Sequence, residues 1–262
     1  MTSTIKYKGA NVVYSQTGSG QALVLLHGFL EDKSMWDDFV SDLRTEFRVI
    51  TPDLLGQGET GNLGYIHSME DMATSVSSIL DKEEIKRFTV VGHSMGGYVA
   101  LALAEMRPKS LDGLVLFHST AYADSDERKK DRERVIGLVQ RAKGVYTKTV
   151  IPSLFSDEWR VKLKNEIQQL IDRADSYSEQ GITANIRGMM DRKDRSFIMK
   201  DGEFPKLIVH GELDSVISTS DIENQAALNE NIELQKSADI GHMGHLEARD
   251  KTLAILKDFC KK

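Results

Sequence analysis

The chain has 262 residues, 40% apolar and 28% charged, a composition that can bury a substantial core and excludes a disordered polymer. A formal net charge of -6 argues against nucleic acid as a partner, and no apolar run approaches the roughly 18 residues of a membrane span. Met1 to Lys8 lacks the apolar core and cleavage pattern of a signal peptide, and the one cysteine, Cys260, permits no internal disulfide. A cytoplasmic protein with no membrane partner is therefore expected.

In chain order, Val12–Tyr14, Ala22–Leu26, Phe47–Ile50, Phe88–Val91 and Leu114–Phe117 read as strands. The runs at 22–26, 88–91 and 114–117 are nearly continuous in apolar character, as parallel strands covered on both faces require. Between them, Trp36–Arg44, Met69–Asp81 and Tyr98–Met106 carry helical spacing. The alternation predicts an α/β sheet with right-handed crossovers. From about 121 to 199 no strand is evident, charge is dense from Asp124 to Arg134, and apolar residues recur at helical intervals. The charge run is read as the solvated face of a helix. After Pro205 the α/β character returns, with a strand at Lys206–Val209, a helix near Ser218–Leu228, a strand at Ile232–Leu234 and a closing helix over Arg249–Phe259. The expected organisation is an α/β core made of 1–120 and 200–262, interrupted by a helical cap at 121–199.

The segment Val90-Val91-Gly92-His93-Ser94-Met95-Gly96-Gly97-Tyr98 places a serine between two glycines, directly after a strand and before a helix. So sharp a turn leaves no room for side chains at 92 and 96 and exposes the hydroxyl of Ser94 beside a helix N-terminus. A serine hydroxyl needs a base, and the base needs an orienting acid. Asp214 lies a few residues past the 206–209 strand, with Asp239 and Glu212 as rivals. His242 lies in a glycine-flanked loop after the next strand, with His245 as its rival. Ligands of open α/β sheets bind outside the carboxyl ends of the strands, where these residues would meet.

Taken together, His27-Gly28-Phe29, Pro52-Asp53-Leu54-Leu55-Gly56-Gln57-Gly58, the turn at 92–96, Gly211-Glu212-Leu213-Asp214 and Gly241-His242 followed by His245-Leu246-Glu247 resemble the α/β-hydrolase family over almost the whole chain. The resemblance implies an eight-stranded, mostly parallel twisted sheet with helices on both faces and a helical cap. It assigns Ser94 as nucleophile, His242 as base and Asp214 as acid, with the backbone N–H groups of Phe29 and Met95 as the oxyanion hole. Gln57 departs from the histidine many relatives carry in that turn, a structural position. It implies a hydrolase of a small or medium carboxylic ester or lactone, similar to capped esterases and enol-lactonase-like proteins. The same triad also serves C–C bond hydrolases, thioesterases and perhydrolases, and the same fold serves small-molecule receptors with little turnover.

Leu30, after the oxyanion loop, and His118, at a strand end where a structural role fits equally, are candidate pocket residues; so are Tyr146, Phe155, Trp159, Met189 and Met190, although helical spacing fits these five equally to the core of the cap. Structural roles are expected for His27, His93, Asp53 and Cys260. No histidine–carboxylate set has metal spacing, so neither metal nor other cofactor is expected, and the acidic surface suits a monomer or a homodimer.

Overall fold

Three continuous apolar runs, β3 (Gln21–Leu26), β5 (Phe88–His93) and β6 (Leu111–Phe117), occupy the middle of one eight-stranded sheet. A computed structural model describes residues 2–262 of the chain. The other strands are β1 (Thr2–Tyr7), β2 (Ala10–Thr17), β4 (Phe47–Pro52), β7 (Lys206–Gly211) and β8 (Ile232–Ser237). Their order across the sheet is β1-β2-β4-β3-β5-β6-β7-β8, and only the pairings made by β2 are antiparallel. The seven expected runs all lie in strands. The eighth strand, β1, alternates exposed and half-buried residues and pairs at the sheet edge from Thr2 opposite Ser15 to Tyr7 opposite Ala10.

Because successive side chains point to opposite faces, β3 feeds two cores at once. Val24 and Leu26 join Val90, Leu114 and Leu116 against α2 (Met69–Lys82) and α3 (Met95–Met106). Leu23 and Leu25 join Val91, Val115 and Phe117 on the other face, against α1 (Asp37–Leu43) and the C-terminal helix. Trp36 anchors this second layer, edge-on to Phe39 at 5.5 Å and to Phe117 at 5.8 Å. Cys260 packs in the same layer.

Five helices separate β6 from β7: α4 (Asp126–Ser153), α5 (Asp157–Lys162), α6 (Lys164–Ser176), α7 (Glu179–Met190) and α8 (Ser196–Asp201). The hydroxyls of Ser125 and Ser178 cap α4 and α7 by accepting from Arg128 N and Gly181 N. Helix α4 is broken at Ala142, where φ is -158° and ψ is 60°. The charge run at its start is not simply a solvated face. Asp124 is 8% exposed and pairs with both Arg132 and Arg192, because an acid this buried needs cationic partners. After β7 come α9 (Thr219–Ala226), then β8, the short α10 (Gly244–Glu247) and α11 (Arg249–Cys260). No helix among the described residues is long and apolar enough to cross a membrane.

The chain passes from β3 to β4 on one side and then returns to β5 on the other. The reversal opens a crevice at the carboxyl ends of β3 and β5, where the 27–30 loop and Ser94 emerge.

Candidate active site

Ser94 caps α3 with φ 50° and ψ -116°, a conformation that side chains rarely adopt. Neighbouring backbone holds it there: Ser94 N donates to Phe117 O at 3.0 Å, and Gly97 N donates to Ser94 O at 2.9 Å. The flanking glycines answer to crowding rather than to their own dihedrals. A Cβ at Gly92 would lie 2.3 Å from the Gly96 carbonyl oxygen, and one at Gly96 would lie 2.5 Å from Leu26 O. The strain is therefore carried by Ser94 while its neighbours make room.

The loops after β7 and β8 bring the other two residues to this turn. His242 Nε2 lies 2.9 Å from Ser94 Oγ, and His242 Nδ1 lies 2.8 Å from Asp214 Oδ2. Asp214 Oδ1 accepts from Val216 N at 2.8 Å and Ile217 N at 3.1 Å, which fixes the carboxylate plane. Burial by itself would raise the Asp214 pKa. The facing His242 and the contacts with His118 and His242 outweigh it, and hold the carboxyl well below its usual range. The rivals lie elsewhere. Asp239 is exposed, Glu212 pairs with Lys236 at 3.2 Å, and His245 turns to Glu31, with Nε2 3.6 Å from Oε1.

Phe29 N–H lies in the loop after β3 and Met95 N–H opens α3; neither donates to a protein acceptor among the described residues. His27 braces that loop by accepting from Leu54 N at 2.9 Å. Asp53 closes its own turn by accepting from Lys33 N and Glu59 N.

Ser94 and His242 open into a cavity of about 230 Å³. Leu30, Tyr146 and Met189 line it, with Val150 and Ile186 adding apolar wall. Phe155, Trp159, Met190 and His118 do not. Phe155 is 2% exposed within the core, and Trp159 lies under the Lys162 ammonium at 4.6 Å. Met190 borders a separate surface depression. His118 is enclosed behind Asp214, with Nδ1 3.5 Å from Oδ2, and burial pushes its pKa down to about 4.

Sequence reading did not single out Glu31, which lines the cavity and is 3% exposed. Nor did it find the approach of His118, His210 and Asp214, whose ligand atoms lie within 4.8 Å of one another. Asp214 is already engaged there through both oxygens. All seven histidines of the chain are buried.

A strained serine at a strand-to-helix turn, in a doubly wound sheet, defines a class of fold. The chain belongs to the alpha/beta hydrolase fold family, whose model matches residues 21–249. A thermophilic esterase from Thermogutta terrifontis is 28% identical and superposes with a TM-score of 0.91, covering 96% of this chain and 93% of that one. The enol-lactonase of Burkholderia xenovorans, 21% identical with a TM-score of 0.90, covers 99% of this chain and 100% of its own, and shares the fold. Among curated relatives, an uncharacterised protein of Mycobacterium tuberculosis is 37% identical over 99 residues. That match takes in 38% of this chain, and the chain spans only 29% of the relative's length.

Proposed function

We propose that the chain is a serine hydrolase that cleaves a small or medium carboxylic ester or lactone through an acyl-enzyme on Ser94. The observation that carries this reading is the unbroken run of contacts from Asp214 through His242 to Ser94 Oγ at the edge of a mostly apolar cavity that Arg128, Asp131 and Arg132 also line. His242 accepts the serine proton at Nε2 as Oγ attacks the carbonyl carbon, and Asp214 keeps the Nδ1 hydrogen in place. The N–H groups of Phe29 and Met95 receive the developing oxyanion, each contributing about 3 kcal/mol to the transition state. His242 returns the proton to the departing alcohol, then activates the water that releases the acid. In a lactone the departing alcohol stays tethered to the acyl group, so the same steps yield one product.

Helices α4 to α8 serve as the cap over this site, since Tyr146, Val150, Ile186 and Met189 all come from that segment. The likeness to the Thermogutta terrifontis esterase supports the same reading.

A fluorophosphonate probe tests it. Wild type is expected to be labelled, Ser94→Ala to lose the label, and Asp214→Asn to react about 10³–10⁴-fold more slowly, because the wrong imidazole tautomer would face the hydroxyl. Folded wild type that takes no label would overturn the assignment. Tight saturable binding of short p-nitrophenyl esters without turnover would point to a receptor instead.

A further inference from the structure

Beside the oxyanion loop lies a buried charge arrangement that the reaction above does not use. Leu30 adopts φ 65° and turns the chain, so that the Glu31 carboxylate comes back beneath Gly28. Glu31 Oε2 accepts from Gly28 N at 2.9 Å and lies 2.8 Å from His93 Nδ1. The other ring nitrogen, His93 Nε2, lies 3.0 Å from the backbone carbonyl of His242. Both side chains are almost fully buried, at 4% exposure for Glu31 and 2% for His93.

A carboxylate and a peptide carbonyl are acceptors only, so both ring nitrogens of His93 must carry hydrogen. We propose that His93 and Glu31 form a permanent ion pair that positions the Ser94 machinery, the imidazolium holding the His242 loop by its carbonyl and the carboxylate holding the oxyanion loop by Gly28 N–H. The proposal rests on the reading of Ser94 as nucleophile. The three anchor points are well chosen: Gly28 precedes Phe29, His93 precedes Ser94, and the third is His242 itself.

The charges agree with the geometry. Burial alone would push Glu31 up and His93 down. The attraction between the two prevails, drawing Glu31 down to about 2 and His93 above the ordinary imidazole value. The groups facing His93 do not undo this. Burial lowers His118 and His245 to about 4 and about 3, so they add no competing cation near neutrality. The Asp214 carboxylate raises His93 further, and the His242 ring lies 5.1 Å away.

The pair also requires charge rather than mere hydrogen bonding. One carboxylate oxygen accepts from both Gly28 and His93. A glutamine oxygen could do the same with the His242 carbonyl still paired only if His93 stayed cationic in the interior with no counter-ion. A neutral His93 has one N–H, and so must release either the His242 carbonyl or residue 31.

The test combines nitrogen NMR of histidine-labelled protein with kinetics. In wild type at about pH 7, His93 is expected to show two protonated ring nitrogens, and in Glu31→Gln only one. Glu31→Gln is expected to lower kcat and the fluorophosphonate labelling rate on the order of 10- to 100-fold, with KM changed less than about threefold. Glu31→Asp, which keeps the charge, is expected to recover part of the loss. A neutral His93 in wild type overturns the ion pair, a measurement that stands even where Glu31→Gln does not fold. Labelled wild type with an equally reactive Glu31→Gln overturns the positioning role alone. Folded wild type that is never labelled overturns the Ser94 reading and the positioning role with it.

Discussion

The backbone N–H of His242 donates to the carbonyl of Leu154 at 2.8 Å, so the histidine of the site hangs from the corner between α4 and α5. Glu247 ties the same parts together. Its Oε2 accepts from Gly241 N at 2.8 Å and Ser156 N at 3.3 Å, and its Oε1 accepts from Met243 N at 3.2 Å. A shift of the α4–α5 corner would therefore carry the imidazole with it.

Glu247→Ala orphans three backbone N–H groups in a place that water does not reach, at about 1–3 kcal/mol for each that stays unpaired. The expected result is a loss of several kcal/mol in denaturant unfolding. Ester turnover should fall through kcat more than KM, because the histidine moves and the cavity does not. Stability and kcat both unchanged would show that Leu154 alone suffices to hold His242.

The buried histidines set the acid limb of stability. Folded His118 and His245 are lowered to about 4 and about 3, below their unfolded value near 6.5, so the unfolded chain binds protons that the folded one refuses. Stability is therefore expected to fall as pH drops from about 6.5 toward 4, by on the order of 2–3 kcal/mol for each group. Glu31, lowered to about 2, works with the same proton balance but at a lower pH. Its contribution is present above about 4.5 and fades as pH falls toward 2. His118 has φ 47°, which asparagine tolerates, so His118→Asn removes one titrating ring without forcing the backbone. Urea unfolding at about pH 7 and pH 4.5 should show a visibly shallower dependence in that variant. An identical slope would mean that His118 takes its proton without cost.

Met189 offers a handle on substrate length. It lines the cavity at 4% exposure, and cutting it to alanine enlarges the space that Ser94 also lines. Met189→Ala is expected to raise kcat/KM for p-nitrophenyl octanoate relative to acetate by on the order of tenfold, about the discrimination carried by one or two methylenes. Met190→Ala, outside the cavity, should leave the ratio unchanged.

Much of this fold is legible in the chain because the central strands are buried on both faces and so read as unbroken apolar runs. The edge strand β1 is not, since Thr2, Ser3, Thr4, Lys6 and Lys8 surround only two apolar residues, Ile5 and Tyr7. Ser94, Asp214 and His242 stand out by residue type and order at strand ends, where the sheet brings them together. Glu31 gives no such signal: its partner lies 62 positions away, and nothing in local spacing marks a carboxylate as buried. Helical periodicity identifies apolar faces in the 121–199 segment, but such a face serves both the packing of the helices and the cavity. That is why Tyr146 and Met189 reach the cavity while Phe155 and Trp159 pack elsewhere.

The enclosure of every histidine also shapes how the molecule meets its surroundings. Lysine, arginine, aspartate and glutamate side chains carry its outer charge, residue types whose ordinary pKa values lie outside roughly pH 5.5 to 8.5. Across that range a neighbouring molecule encounters the same electrostatic face, so solubility and weak self-association should respond to salt rather than to pH. Inside, the rings of His93, His118, His210, His242 and His245 form a continuous cluster beside Ser94.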